Sequence, residues 1–291
     1  MKKTILLLGS SGFLGSSLVP ILKKSKYKLI THSLTNNTDF NVNLSIRKDV
    51  FDLLSEAQPD LIVNLVALTD VDLCEKNPKL AFSTNVQAVV NITDYIASKT
   101  KKIHLIQIST DQVYDNEKKE YNLEENIKIT NVYAFSKLMA EIIASKVPST
   151  ILRTNFFGKS KIKNKRSLTD WAHYNLKNNL VLRGFDNVYF NPLTLNTLSS
   201  IILNLIDKKP TGIYNAGSSG FLTKADFIIY FAKCLNLSIE NILKMPVEKV
   251  LSDGAYRPRN MLMDTRKLEN YLNFKLPDIY DEITHCAQEY L

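Results

Sequence analysis

The sequence predicts an α/β protein, a doubly wound parallel sheet followed by a smaller C-terminal lobe. Three observations predict it. Short apolar runs alternate with segments of helical period through the first half of the 291 residues, glycines recur at every third position between the first run and the first helix, and the rhythm loosens after Phe157. Strands separated by helices of this length imply βαβ units, whose ligands sit at the carboxyl ends of the strands.

Each element follows from pattern. TILLLG (4–9) is a strand type buried on both faces, and Phe13 to Lys24 is a helix with Leu14, Leu18, Ile21 and Leu22 on one side. KLITHS (28–33) is the second strand. A helix from Ser45 to Gln58 stops at Pro59, and DLIVNLVA (60–67) is the third strand. One long helix is expected from Pro78 to Lys99, then a fourth strand KIHLIQIST (102–110), a helix from Asn131 to Ser145, and a fifth strand STILRTNF (149–156). Beyond Phe157 come a basic loop KSKIKNKR (159–166), helices Thr169 to Asn178, Thr194 to Lys208 and Lys224 to Leu235, a short strand GIYNAG (212–217), and a loop YRPRN (256–260) before a C-terminal helical stretch. The division expected is residues 1–157 for a dinucleotide and 158–291 mainly for a substrate, with some elements of the latter returning to the main sheet.

Composition narrows the function classes. Hydrophobic residues make up 45% and charged ones 23%, enough for a substantial core. The formal net charge of +8 suits a nucleic acid, a membrane surface or a phosphorylated small molecule. The lysines are scattered, which disfavours nucleic acid, and no apolar run approaches the ~18 residues of a membrane span. Cys74, Cys234 and Cys286 are odd in number and far apart, and His32, His104, His173 and His285 lack ligand spacing, so neither a disulfide framework nor a zinc site is expected. MKKTILLLG imitates a signal peptide, but the glycines that follow argue against one, and a cytoplasmic protein is expected.

GSSGFLG sets Gly9, Gly12 and Gly15 between strand and helix. A tight turn, close backbone approach to a pyrophosphate and close helix-to-strand packing each exclude a β-carbon there, and the helix N-terminus favours the anion. Gly9, Gly12, Phe13, Leu14 and Gly15 are the expected cofactor contacts. An acid normally ends the second strand to hold the adenosine 2′-hydroxyl of NAD. Here THSLTNNT (31–38) has none before Asp39, and His32, Ser33 and Asn36 are neutral donors that tolerate a 2′-phosphate. The expected cofactor is therefore NADP(H), with NAD(H) allowed and Ser33 among its contacts.

VYAFSKLMAE supplies Tyr133 and Lys137, four apart and so on one helix face. A tyrosine of ordinary pKa, near 10, is a poor acid-base group at neutral pH. A neighbouring ammonium favours its phenolate. Thr110, ending the fourth strand in ISTDQVYD, can donate to a carbonyl oxygen on which charge develops. Thr110, Tyr133 and Lys137 are the expected catalytic set.

With these residues in place, the chain resembles the extended short-chain dehydrogenases/reductases, among which the spacing Gly-x-x-Gly-x-x-Gly is found. Within them it is most similar to the dTDP-4-dehydrorhamnose reductase group. The likeness runs through GSSGFLG, DLIVNLVALTDVDLCEKNPKLAFSTN, ISTDQVYD, NVYAFSKLMAE, ILRTNFFG and RPRNMLMDTRKL. It implies that Tyr133 gives a proton to the substrate's oxygen while NADPH gives hydride to its carbon. It also implies that Lys137 reaches the nicotinamide ribose, that Ala67 and Thr69 line the cofactor groove, and that Asn85 lies near the site.

Several positions depart from that group. Gln112 stands where an aromatic residue is usual, Phe156 where a tryptophan is usual, and Leu68 where a polar residue is usual, departures that lead one to expect a hexose other than the usual one. Ser17 and Asn196 replace carboxylates that hold magnesium in some members, so no metal is expected. Dehydratases of the related branch use glutamate at the Gln112 position as a base, and a carboxamide does not titrate. Expected substrate contacts are Asp111, Gln112, Phe156, Arg257 and Asn260, the last two for a nucleotide diphosphate. Lys161, Lys163, Lys165, Arg166, Tyr189 and Asn191 carry weaker claims, and Asp72 and Glu75 are expected to cap or pair.

The expected activity is NAD(P)H-dependent reduction of a nucleotide-linked 4-keto-6-deoxy sugar by a monomer or homodimer, with neither nucleic acid nor membrane as partner. The alternatives are an epimerase of the same superfamily and a non-catalytic, dinucleotide-binding regulatory subunit.

Overall fold

The computed structural model describes residues 2–35, 38–116, 120–162, 166–250 and 254–291. Asn36, Lys163 and Lys165 lie outside these residues. The strands are β1 (Thr4–Leu8), β2 (Lys28–Ser33), β3 (Phe40–Asn41), β4 (Leu61–Asn64), β5 (His104–Thr110), β6 (Ser149–Thr154), β7 (Phe156–Phe157), β8 (Leu182–Phe185), β9 (Tyr189–Phe190), β10 (Leu193–Thr194), β11 (Gly212–Ala216), β12 (Leu222–Thr223) and β13 (Ile242–Met245).

Seven of them form one sheet in the order β11-β6-β5-β4-β1-β2-β3. β1 pairs in parallel with β2 and with β4, and β4 with β5. Strand order reverses between β1 and β4, which makes their carboxyl ends a switch point where the backbone can receive a ligand. Every residue of β4 and β5 is buried, as expected of strands covered on both faces.

Helices α1 (Phe13–Lys23), α2 (Arg47–Ala57), α3 (Val71–Lys76), α4 (Pro78–Phe82), α5 (Ala88–Ala97) and α6 (Val132–Ala144) accompany these strands. Leu53 and Leu54 of α2, Val89 and Ile92 of α5, and Ala140 and Ala144 of α6 join Leu6, Leu8, Ile62, Leu105 and Ile151 in one core. This core lies in a compact unit comprising residues 1–110, 131–153 and 199–214.

The second unit comprises residues 111–130, 154–198 and 215–291. Its core gathers Phe157, Phe190, Phe227, Phe231, Ile279 and Ile283, and it includes α7 (Leu168–Lys177), α9 (Lys224–Cys234), α10 (Val247–Val250), α11 (Arg266–Leu272) and α12 (Ile279–Gln288), while α8 (Leu195–Lys208) begins in it and ends in the first unit. Both units are discontinuous along the chain. Among the described residues no helix is long and apolar enough to cross a membrane.

Three elements depart from the sequence reading. The single helix expected over 78–99 is broken by a π turn, Ser83–Gln87, between α4 and α5. Such a turn widens the helix by one residue and often marks a functional site; this one carries Asn85 inward, where it is 2% exposed. The fifth strand ends at Thr154, and Phe156–Phe157 pairs with β10 instead of extending β6. The third strand spans only Leu61–Asn64, with α3 following at Val71–Lys76, a short helix whose N-cap Asp70 accepts from the Leu73 amide at 2.9 Å.

One buried histidine gives this fold a pH dependence. The Thr150 hydroxyl donates to the Pro210 carbonyl, so His104 Nε2, 2.8 Å from Thr150 Oγ1, carries the ring proton. Burial, assisted by the Lys209 charge, pushes the imidazole pKa down to about 4. The unfolded chain takes up that proton near its ordinary pKa of about 6.5, so the stabilisation is present above that pH and is lost as pH falls towards 4. Denaturant unfolding followed from pH 8 to pH 4 is expected to show stability falling below pH 6.5, with His104 contributing a slope approaching about 1.4 kcal/mol per pH unit. His104→Gln should flatten that part of the profile.

Candidate active site

The loop after β1 shows why three glycines are spaced as they are. Gly9 has φ of 80°, a left-handed conformation that costs a residue with a β-carbon. Its amide and that of Ser10 both donate to the His32 carbonyl, at 3.0 and 2.9 Å, tying the loop to the end of β2. A Cβ on Gly15 would lie 2.4 Å from the Gly9 carbonyl oxygen and 2.6 Å from that of Ser10, so only glycine lets α1 approach this closely. Gly12 caps α1, with Phe13 and Leu14 in its first turn.

A cavity of about 240 Å³ adjoins the loop, and Gly9, Gly12, Ser33, Ala67 and Thr84 are among its lining. Backbone amides at a helix N-terminus beside positions without β-carbons fit the pyrophosphate of a dinucleotide. At the β2 end one oxygen of the exposed Asp39 is turned back on the strand: its Oδ2 accepts from the Thr31 amide at 2.8 Å and the Thr31 hydroxyl at 2.6 Å.

α6 brings Tyr133, Lys137 and Glu141 to one face by their spacing of four. All three are buried, at 7%, 4% and 2% exposure. Lys137 Nζ donates to the Ile108 carbonyl of β5 at 2.7 Å, an oxygen that also accepts from Gln107 Nε2 at 3.1 Å. Burial lowers the Lys137 pKa to about 8, with Glu141 opposing the shift. One turn on, Glu141 accepts from the Ser109 hydroxyl and from Arg153, whose Nε lies 3.0 and 3.1 Å from the two carboxylate oxygens and whose Nη2 lies 2.6 Å from one of them. Thr110, 4% exposed, ends β5 one residue beyond Ser109.

The start of α6 is fixed separately. Asn131 caps it through the Ala134 amide at 2.8 Å, and the Val132 amide donates to Glu75 at 3.0 Å, which supplies the pairing expected of that glutamate. The Ser136 hydroxyl donates to the Tyr133 carbonyl at 2.7 Å and accepts from Asn85 Nδ2 at 2.9 Å. Asn85 also grips both backbone groups of Leu68, accepting from its amide at 2.7 Å and donating to its carbonyl at 3.1 Å. The π turn thus ties the loop holding Ala67 and Thr69 to the helix holding Tyr133.

The second unit holds the remaining candidates. Asp111, 1% exposed, accepts from Asn155 Nδ2 at 2.6 Å. Lys224 acts on Asp111 electrostatically, and its ammonium lies 3.4 Å above the Phe190 ring; burial lowers its pKa to about 8. Gln112 and Phe156 are half-buried, as is Arg257, which donates to the Ala255 carbonyl at 2.8 Å. Asn260 has its carboxamide engaged at both ends, donating to the Glu120 carbonyl at 2.9 Å and accepting from the Leu262 amide at 3.0 Å, which makes it a brace. Asn191 is similarly committed, donating to the Ser218 and Met263 carbonyls, each at 3.1 Å, and accepting from the Met263 amide at 3.0 Å.

Sequence reasoning missed Lys224, Asp115 and the Arg153–Glu141 pair. Asp115 holds the YRPRN loop by accepting from the Arg259 amide at 2.7 Å and the Tyr256 hydroxyl at 3.1 Å. A lysine at a helix start and an arginine within a strand read as solvated in sequence; nothing local signals burial. Among the described residues no group of three or more His, Cys, Asp or Glu side chains is placed to hold a metal ion.

Removing one partner of a buried ion pair strands the other charge, at a cost of about 3–5 kcal/mol. Arg153→Met is therefore expected to lose a comparable amount of unfolding free energy in a denaturant titration. Arg153→Met combined with Glu141→Leu should recover part of it, because neither member of the pair is then stranded, while Lys137 loses the Glu141 charge that opposes its desolvation.

The profile of the RmlD substrate binding domain matches residues 1–291. A curated relative, the probable low-salt glycan biosynthesis reductase Agl14 of Haloferax volcanii, is 25% identical over 286 residues, covering 94% of each chain. The dTDP-4-dehydrorhamnose reductase of Sinorhizobium fredii is 28% identical over 253 residues, covering 82% of this chain and 83% of its own. A crystal structure of dTDP-4-dehydrorhamnose reductase from Bacillus anthracis in complex with NADP superposes with a TM-score of 0.87 at 21% identity, over 99% of this chain and 100% of that one, and so shares the fold. With the doubly wound sheet, the glycine loop and the Tyr133/Lys137 helix face already in view, the match over the whole length means that the chain belongs to the RmlD family of extended short-chain dehydrogenase/reductase-like proteins.

Proposed function

We propose that the protein reduces a nucleotide-linked 4-keto-6-deoxy sugar, with Tyr133 as proton donor and NADP(H) as the preferred cofactor. The observation that carries this reading is the helix face on which Tyr133 and Lys137 sit beside the end of β5, fixed by the Lys137 bond to Ile108 and the Asn85 bond to Ser136. A nicotinamide dinucleotide, when bound, supplies the hydride that reduces the carbonyl carbon.

The chain's own groups handle the oxygen. The Tyr133 hydroxyl gives its proton to the carbonyl oxygen as that atom becomes the product hydroxyl, and general acid catalysis of this kind contributes about 10²–10⁴-fold. Thr110 donates a hydrogen bond to the same oxygen while charge builds on it. The Lys137 ammonium favours the phenolate that Tyr133 becomes, and its pKa of about 8 keeps it mostly charged at neutral pH. In the second unit, Asp111, Gln112 and Phe156 contact the hexose and Arg257 the diphosphate, for which a guanidinium fork is suited.

Purified protein is to be mixed with NADPH and a panel of nucleotide-linked keto sugars while nicotinamide absorbance is followed. Absorbance should fall with at least one of them, and no oxidation with any would overturn the reading. Cofactor retained through purification with no net consumption would instead mark an epimerase. Tyr133→Phe should lose about 10²-fold or more in turnover while keeping its affinity for NADPH, measured by fluorescence titration.

The preference for NADP(H) is supported by the end of β2, where the cavity wall carries Ser33 and where Asp39 is already bonded to Thr31. NADPH is expected to bind more tightly than NADH. Ser33→Asp, which puts a carboxylate where a 2′-phosphate would lie, should reverse that order in paired titrations.

A further inference from the structure

A cavity in the second unit is lined by none of the residues assigned above to the reaction. It encloses about 590 Å³, within the range of small-molecule sites, and is bounded by Tyr121, Ser218, Gly220, Asp264, Arg266 and Lys275, among others. Its base is firm: the Asn122 amide donates to the Leu262 carbonyl at 2.8 Å and the Asp264 amide to the Asn122 carbonyl at 3.0 Å.

Charge on this wall is balanced within the protein. Arg266, with its side chain 74% exposed, is forked on Asp264, whose side chain is 10% exposed, and Lys275, 82% exposed, meets Glu269, 8% exposed, at 2.9 Å. Each cation at the rim therefore has its own carboxylate behind it, so an anion gains little there. What the wall offers a ligand is a mixture of exposed N–H donors, carboxylate oxygens and the hydroxyls of Ser219 and Thr265. Ser218 joins them; it is 1% exposed and its Oγ has no hydrogen-bond partner among the described residues.

A flat apolar surface accompanies these polar groups. Tyr121 is 42% exposed, and its ring is held edge-to-face by Phe221 at 6.0 Å, which is in turn packed by Tyr189 at 6.1 Å. Burial and the nearby Asp264 and Asp278 raise the Tyr121 pKa, so its hydroxyl stays a donor. Leu123, Met263 and Leu276 complete the apolar part. A ring face beside interleaved donors and acceptors, without net charge, complements a molecule with one C–H face and a rim of hydroxyls.

We propose that this cavity binds a neutral hexose, either as a free sugar or as the end residue of a glycan, with the sugar ring against Tyr121. The site is separate from the proposed reduction and survives or fails independently of it.

The test is saturation-transfer NMR with D-glucose, L-rhamnose and maltotriose, each with and without saturating thymidine diphosphate to occupy the nucleotide-sugar site. At least one sugar should bind saturably with Kd on the order of 1 mM, unaffected by the nucleotide. Tighter binding of maltotriose than of glucose identifies a glycan end, and equal binding a free sugar. Tyr121→Ala and, as a second variant, Thr265→Trp, which fills the cavity, should each weaken binding about tenfold or more, equivalent to about 1.4 kcal/mol, with NADPH affinity unchanged as a control for folding. The proposal is overturned if no sugar binds, if thymidine diphosphate displaces the sugar, or if both variants bind as well as the parent.

Discussion

The Glu141–Arg153 pair is the interaction on which the arrangement of the first unit depends. Both side chains are buried, and the carboxylate also takes the Ser109 hydroxyl, so one anion joins α6, β5 and β6. A pair of this kind adds little net stability, because desolvating two charges offsets most of their attraction. Its value is geometric, because charge-assisted bonds from two strands converge on one residue of α6 and fix where that residue sits. Lys137, one turn earlier on the same face, then meets the Ile108 carbonyl at 2.7 Å, and Tyr133 lies one turn before that on the same face.

A second constraint sets the other wall. Asn85 can grip Leu68 and Ser136 together only because a π turn interrupts the helix carrying it. The Gly9 and Ser10 amides do the equivalent for the β1 loop by sharing the His32 carbonyl. Both devices use side chains or backbone groups to hold loops at strand ends, which is where the sheet itself supplies no further pairing. The loops therefore stay rigid enough to present backbone donors without an element of their own.

Much of this was legible from residue order alone. The central strands and α6 announce themselves through unbroken apolar runs or a spacing of four, and the glycines through a spacing that only close packing explains. The π turn was not legible, because its sequence STNVQ continues a helical pattern and the partners of Asn85, Leu68 and Ser136, lie 17 and 51 residues away. Phe156 reads as the end of β6 by its apolar character, although with Phe157 it forms β7, which pairs with β10, a choice made by tertiary neighbours. Asn260 looked available to a ligand for the opposite reason: nothing local shows that Glu120 and Leu262 already hold it.

The triplet Thr110-Asp111-Gln112 shows how the two kinds of information combine. Sequence excludes titration at Gln112, and with it the base a dehydratase needs. Structure adds that Asp111 is bonded to Asn155 and faces the charge of Lys224, so the carboxylate already has a cation and a donor to satisfy it. The proposed reduction needs no base at the Gln112 position; it asks only for a proton delivered to an oxygen, the role proposed for Tyr133.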